Sequence, residues 1–354
     1  MEKHGFEQLA DITNLYRAVK DSRRGVYWKA SVQRYCMSLL RNIVKTRKDL
    51  LAGKDIRKGF IEFKIMERGK LRHIRSVHFS ERVVQKSLCT NVLIPHLTRS
   101  LIYDNGASLK DKGIDFALRR AKIHLSRHYR KHGKEGYIVL VDFKGYFENI
   151  LHEPLREIYQ RTFCEDERLI NLAMLFIEAF GEKGLGLGSE TSQINAIAYP
   201  NNIDHYIKQD LRCENYARYM DDSYIICESK EQAQAILDKL RVKYAEKGIT
   251  PNPRKTTIVK LSRGFTFLKT HFSLTDTGRI VDRPCRESAV RQRRKLKKFK
   301  KFLAAGKMTM KDIRTSYMSW RGFAAHKCAR RTIYTMDGLY KRLFGESPIN
   351  PTKI

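Results

Sequence analysis

Nowhere does the chain string together the roughly 18 apolar residues that a membrane-spanning helix needs, so a membrane partner is not expected. Its opening stretch, MEKHGFEQLADITNLY, lacks the apolar centre of a secretory signal. A cytoplasmic location is therefore the expectation. Cysteine is sparse: Cys36, Cys89, Cys164, Cys213, Cys227, Cys285 and Cys328 are odd in number and never spaced C-x-x-C. That argues against both a disulfide framework and a structural zinc site. The eight prolines build no linker, and there is no internal repeat or low-complexity tract. The chain is shortest of acid. Against 70 Lys and Arg it has 38 Asp and Glu, a formal net charge of +32 over 354 residues. An excess of that size calls for a polyanionic partner, and without a membrane segment that partner is nucleic acid.

The first fifty residues repeat apolar positions at three- and four-residue spacing, which predicts helices ending at Gly53. FIEFKIMERGKLRHIRSVHF alternates around Arg68-Gly69 and predicts a β-hairpin. A helix capped by Ser80 and running to Pro95 follows, then a basic helix over GIDFALRRAKIHLSRHYRKHG. From there the pattern changes. GYIVLVDF reads as a buried strand ending at Asp142, and ERLINLAMLFIEAFG as an apolar helix closing at Gly181. KGLGLGSETSQ is a glycine-rich turn into a helix, and YARYMDDSYIIC is a hairpin with two acids near its tip. KEQAQAILDKLRVKYAEKG is helical, TTIVKL and GFTFLKTHFSL are strands, and the remainder is read as helical and very basic. Strands alternating with helices, flanked by helical pieces, predict an α+β fold.

Asp221 and Asp222 stand between Tyr219-Met220 and Tyr224-Ile225-Ile226, where an unpaired charge is expensive. If their strand neighbours the one ending in Asp142, three carboxylates meet at one sheet edge. Hard divalent cations such as Mg²⁺ take that ligand type, with substrate phosphates and water filling the remaining positions. Two such ions support an in-line displacement at phosphorus.

YMDD at 219–222, VDFKGYFENI at 141–150, GLGLGSETSQ at 184–193 and GFTFLKTHF at 264–272 stand in the order found in reverse transcriptases. The chain resembles that family from about residue 55 to 275. The resemblance implies a right-hand polymerase: an N-terminal helical extension (1–54), fingers (55–135), a catalytic palm with an antiparallel sheet (136–275) and a basic helical thumb (276–354). It implies RNA-directed DNA synthesis with two Mg²⁺ ions, or Mn²⁺, held by Asp142, Asp221 and Asp222. Lys255 would serve as general acid at the departing pyrophosphate. Lys70 and Arg72, with Arg75 and Lys110, would meet the incoming triphosphate. Phe147 would be the gate that excludes a ribose 2′-hydroxyl, with a core phenylalanine beside Tyr146 as the bland alternative. Leu187, Gly188 and Gln193 would complete the nucleotide site, and Gly264 and Phe265 would start the primer grip.

The glycine turn departs from the family's common L-P-Q-G followed by S-P. Leu185-Gly186-Leu187-Gly188 followed by Ser192-Gln193 looks like diversity-generating retroelements, as do ERVVQKSLC and IYDNGASLKDKG. Gly186 in place of proline and Leu109 in place of arginine depart from that branch, and phage-defence reverse transcriptases of bacteria stay open beside it. The partners implied are a noncoding or repeat RNA template, the cDNA product, dNTPs and a small basic accessory protein. A maturase-like RNA-binding protein with a vestigial palm is the non-catalytic reading; the intact carboxylates oppose it. In CRESAVRQRRKLKKFKKFL, Ala289, Leu296, Phe299 and Leu303 can form one apolar stripe. That stripe leaves Arg291, Arg294, Lys295, Lys298 and Lys301 on a face suited to phosphates. Tyr317 and Trp320 are read either as stacking platforms or as thumb core. No ribonuclease H, integrase or endonuclease domain is expected after Gly345.

Overall fold

The computed structural model describes residues 5–67, 70–164 and 166–349, without the side chains of Glu67, Lys70 and Arg72. Helices α1 (Gly5–Ala10), α2 (Ile12–Ser22), α3 (Ala30–Met37) and α4 (Leu39–Leu51) open the chain. Strands β1 (Phe60–Glu67) and β2 (Lys70–Val77) pair antiparallel from Phe60↔Val77 to Glu67↔Lys70. Their expected turn at Arg68-Gly69 lies outside the described residues. Next come α5 (Phe79–Leu88), a π-helical turn at Cys89–Leu93, α6 (Ile94–Leu97), α7 (Ile114–His132) and β3 (Tyr137–Asp142). Helices α8 (Tyr146–Asn149), α9 (His152–Phe163), α10 (Glu167–Glu178), α11 (Glu190–Ala198) and α12 (Asn201–His205) lead to β4 (Tyr216–Tyr219) and β5 (Asp222–Cys227). The chain continues through α13 (Lys230–Glu246), β6 (Thr257–Lys260), β7 (Phe265–Phe267), β8 (Thr270–Leu274) and β9 (Ile280–Pro284). It closes on α14 (Arg286–Ala304), α15 (Met310–Ala325) and α16 (Arg330–Phe344). The fold is α+β, with sheets ordered β1-β2, β4-β5-β3-β6 and β7-β8-β9. Among the described residues no helix is long and apolar enough to cross a membrane.

The chain divides into two compact units, one of 1–117, 141–223 and 235–256, the other of 118–140, 224–234 and 257–354. In the first, Leu9, Leu15 and Val19 are fully buried, and Ser87 Oγ donates to the Leu9 carbonyl at 2.8 Å. The opening helices are therefore anchored, because removing such side chains from water contributes about 1.5–3 kcal/mol each. In the second, β3 pairs antiparallel with β6 from Tyr137↔Lys260 to Leu140↔Thr257. The histidines of α7 serve packing there: His124 hydrogen-bonds the Tyr224 hydroxyl at 2.9 Å, and His128 stacks on His132.

Four local expectations are corrected. The cap of α5 is His78, whose Nδ1 accepts from Ser80 N, rather than Ser80. That run also passes Pro95, because the π-helical turn at Cys89–Leu93 changes the hydrogen-bond step before the proline. GFTFLKTHFSL is two strands, β7 and β8, turned at Leu268-Lys269, where both residues take left-handed backbone (φ 45° and 62°). Such a turn normally announces itself with Asn-Gly; here it carries no signal. Residues 280–284, read as helical tail, form β9 on the far side of β8. In the tail, Leu296, Phe299, Ile313, Tyr317, Met336 and Tyr340 make a buried core against which Leu303 packs. Ala289 is half-buried at the same face of α14. Tyr317 is fully buried and stacks on Trp320 at 5.9 Å, so this pair is core rather than platform. Arg291, Arg294, Lys295, Lys298 and Lys301 are exposed on α14.

Candidate active site

Asp142 is the last residue of β3, Asp222 the first of β5, and Asp221 sits in the Met220-Asp221 turn between β4 and β5. That turn is tight because Met220 adopts a left-handed backbone, φ 56°, which a residue with a Cβ tolerates only under strain. The Phe143 N–H donates to the Asp221 carbonyl at 3.2 Å, tying the residue after Asp142 directly to the turn. All three carboxylates lie in the first unit.

Asp142 is buried, and both its oxygens are held. Asn252 Nδ2 donates to Oδ1 at 3.1 Å and Lys255 Nζ pairs with Oδ2 at 2.5 Å. The Asn252 backbone N–H also donates to the Asp142 carbonyl at 2.7 Å. Burial pushes the Asp222 carboxyl up to about 7, helped by the negative charges of Asp221 and Asp142 and opposed by Lys255. Burial works to lower the Lys255 ammonium, but Asp142, with Asp222 and Asp221 behind it, holds it above the ordinary lysine range. This corner has more negative charge than one lysine can neutralise.

A divalent cation fits that donor set. Among the described residues no three His, Cys, Asp or Glu side chains already form a cage, and Asp142 is turned onto Lys255. Mg²⁺ needs no such cage, since it completes one or two carboxylates with substrate phosphates and water.

Arg218 lies beneath the turn and was missed from sequence. It is 1% exposed and makes a bidentate pair with Asp204, at 2.8 Å from Nε to Oδ1 and 2.6 Å from Nη2 to Oδ2. Tyr216 also donates to Asp204, at 2.5 Å. Arg218 Nη2 reaches the Ile197 carbonyl at 2.8 Å, and Nη1 the Met220 carbonyl at 3.2 Å. The strained turn that presents Asp221 is thereby fastened to the core. An arginine three residues before the acids was the available signal.

Asp142 and Asp221 open into a cavity of about 750 Å³. Its wall includes Phe147, Leu187, Phe180 and the glycine loop, with Arg75, Lys144, Lys183 and Lys255 facing Asp142, Asp221 and Glu148. Tyr146 is buried and donates to the Ala196 carbonyl at 2.6 Å, and the half-buried Phe147 beside it lines the cavity. The glycine loop is bound to this segment by Gly184 N to Ile150 O at 2.7 Å and Leu185 N to Phe147 O at 2.6 Å. Gly184 has φ +89°, and a Cβ there would stand 2.9 Å from the Glu148 carbonyl oxygen. A Cβ on Gly186 would fall 2.0 Å from the Phe180 ring, so the departure from proline leaves room for that ring.

The other expected nucleotide contacts scatter. Lys70 and Arg72 lie on β2, their side chains outside the described residues. Arg75 lines the cavity while donating to the Phe180 carbonyl at 2.9 Å and pairing with Glu62 at 3.3 Å. Gly188 is exposed with φ +98°, next to Leu187. Gln193 is exposed on α11 and accepts from Ser108 Oγ at 3.3 Å; Lys110 is exposed in a loop, and neither lines the cavity. In the second unit, Gly264 has φ +69° and packs against the Phe272 carbonyl, while Phe265 is buried and stacked on Phe272. Asn252, Lys144 and Lys183 were not anticipated; Lys144 stands inside the DFKGYF run that was quoted for other residues.

A family profile described as "Reverse transcriptase (RNA-dependent DNA polymerase)" matches residues 56–272. No curated protein matches the chain by sequence. Among solved structures it is similar to apo telomerase from Candida tropicalis truncated from its C-terminal domain, at 15% identity and a TM-score of 0.51. That alignment covers 68% of this chain and 59% of the telomerase. Telomerase from Candida albicans, in complex with a fragment of telomeric RNA, aligns at 11% identity and a TM-score of 0.51. It covers 82% of this chain and 61% of the telomerase. The chain thus spans about three fifths of either telomerase, and these likenesses speak to the fold.

Proposed function

The chain belongs to the reverse transcriptase family, and from that membership we propose that it is an RNA-directed DNA polymerase whose site is the Asp142–Asp221–Asp222 corner. The observation that carries the reading is the direct tie from Phe143 N to the Asp221 carbonyl, which sets two carboxylates on one cavity whose wall also holds Arg75, Lys144, Lys183 and Lys255.

Asp142 and Asp221, with Asp222 set behind them, would hold two Mg²⁺ ions. Bound there, the ions would neutralise phosphate charge and raise the nucleophilicity of a primer hydroxyl. Lys144, Lys183 and Arg75 on the cavity wall offer charge to a triphosphate. A primer 3′-oxygen forms the new bond to the α-phosphorus as the bond to pyrophosphate breaks. Lys255, protonated at neutral pH, is suited to give a proton to that leaving group. Lys70 and Arg72 on the fingers hairpin, Lys110, Gln193, and the Gly264–Phe265 primer grip are assigned by resemblance. So is the division into extension, fingers, palm and thumb, with the α14 cations on the nucleic acid. The test is extension of a DNA primer on an RNA template by the purified chain. dNTP incorporation that requires Mg²⁺ or Mn²⁺ and is lost in EDTA supports the reading; none with either ion overturns it.

Two residues of the cavity wall carry further expectations. Phe147→Ala should open space beside the sugar C2′ and raise ribonucleotide use relative to deoxyribonucleotide by about tenfold or more. Single-nucleotide incorporation with rNTP and dNTP measures it, and an unchanged ratio removes the gate. Leu187 stands where the family commonly has glutamine, so it offers shape without a donor or acceptor. One neutral hydrogen bond is worth about 0.5–1.5 kcal/mol. Leu187→Gln should therefore lower misincorporation roughly threefold to tenfold, and indistinguishable error spectra on one RNA template would assign Leu187 to packing alone.

Within the family we favour the diversity-generating type, on Leu187 and the Ser192-Gln193 pair. Sequencing of RNA that co-purifies with the chain separates it from a defence enzyme. A transcript of a variable-gene repeat supports it; a structured noncoding RNA copied during infection overturns it.

A further inference from the structure

Between α2 and α3 the chain makes a tight turn that presents two adjacent aromatic rings to solvent. Trp28 is 74% exposed and Tyr27 is 51% exposed. The turn is ordered by its own hydrogen bonds, Val26 N to Arg23 O at 3.1 Å and Lys29 N to Val26 O at 3.0 Å, with Gly25 at φ +71°. Trp28 is itself fixed, since Nε1 donates to the Gly25 carbonyl at 3.2 Å. Each ring carries a cation: Lys29 Nζ lies 5.5 Å from the Trp28 centroid and Arg23 Cζ 5.6 Å from that of Tyr27. Around them, residues 17–48 contain ten Lys and Arg against a single acid, Asp21. None of this lies within the 56–272 segment that the family profile matches.

We propose that this turn is a docking platform for single-stranded RNA outside the polymerase cavity, with Trp28 and Tyr27 stacking on unpaired bases and Arg23, Lys29 and Arg34 meeting phosphates. Fixed aromatic rings interleaved with cations are the arrangement that binds single strands without sequence preference. Duplex hides its base faces, so it would use only the charge. A protein partner would instead seek exposed apolar side chains such as Met37 at the end of α3 and Leu40 and Val44 on α4. The cations of the turn and its two neighbouring helices, Arg23, Arg24, Lys29 and Arg34 against Asp21 alone, favour a polyanion. The choice of RNA over DNA rests on the polymerase reading, in which template RNA is the strand present unpaired.

The chain has two tryptophans, so full-length protein carrying Trp320→Phe reports Trp28 alone. It is titrated with an unstructured uridine 20-mer in EDTA, without nucleotides, at raised salt, where phosphate-only contacts weaken most. Fluorescence anisotropy of a labelled copy of the 20-mer follows total binding. Trp28 emission is expected to be quenched in step with binding. A Tyr27→Ala, Trp28→Ala chain with unchanged circular dichroism should bind about tenfold more weakly or worse. Trp28→Phe in place of Trp28→Ala should restore most of the loss. Unchanged Trp28 emission at RNA saturation overturns the platform, as does undiminished affinity of the double variant. A deoxyribo 20-mer that quenches at lower concentration than the RNA overturns the choice of RNA. Asp221→Ala should leave the quench intact, so loss of polymerisation and loss of this site are read separately.

Discussion

Asp221→Ala is expected to lose RNA-templated dNTP incorporation by about three orders of magnitude or more while keeping its fold. A metal-bound transition state draws several kcal/mol from its cation, and each 1.36 kcal/mol is tenfold in rate. Asp221 faces the cavity from a turn, so its side chain is not part of the core. Its removal also takes one negative charge from beside Asp222, whose carboxyl is pushed up to about 7 by burial and by Asp221 and Asp142. Thermal stability without metal should therefore hold or rise, the pattern of a site that trades stability for function. Parallel primer-extension and melting measurements check both halves. Near-normal incorporation would remove Asp221 from the chemistry, and a collapsed melting transition would make it structural.

The largest stability effect is expected inside the first compact unit. Removing one partner of a fully buried, hydrogen-bonded pair leaves an uncompensated charge and typically costs about 3–5 kcal/mol. Asp204→Ala or Arg218→Met should do so, because both side chains are 1% exposed and nothing in water can reach the orphan. Replacing both at once should cost much less than the two singles summed, since no charge is then left alone. Arg218 also holds the Met220 carbonyl. Arg218→Lys, which keeps the charge but not the fork, should therefore lower the turnover of whatever protein remains folded, with little change in nucleotide KM. Urea denaturation of the singles and the double measures the first effect, and steady-state kinetics of the lysine variant the second. Additive denaturation energies would mean the pair is not coupled. Unaltered turnover in Arg218→Lys would mean it does not position the turn.

How much of this was legible before folding differs from residue to residue. Asp142, Asp221 and Asp222 were readable because a carboxylate bordered by apolar strand residues conflicts with local patterning, and such conflicts mark function. The cation excess and the apolar stripe of α14 were readable because composition and helical period are properties of the chain itself. The expected nucleotide contacts were less so. Resemblance named Lys110 and Gln193 by position; both are exposed and neither lines the cavity, whereas Lys144 and Lys183, which no motif singled out, do. Side-chain direction depends on the turn each residue occupies, which a short motif does not carry.

What the sequence by itself determined is the one-dimensional inventory: α+β patterning, family motifs in order, an adjacent acid pair about eighty residues after a third acid, and a large excess of positive charge. Only the tertiary structure decided what those acids touch. Asn252 and Lys255 reach Asp142 across more than a hundred residues, and Arg218 finds Asp204 beneath the turn. β9 exists because β8 offers it an edge. The left-handed turns at Met220 and at Leu268-Lys269 carry no glycine or asparagine to announce them. In each case the residue's own preference is weak or contrary, and partners distant in the chain supply the free energy that settles its conformation.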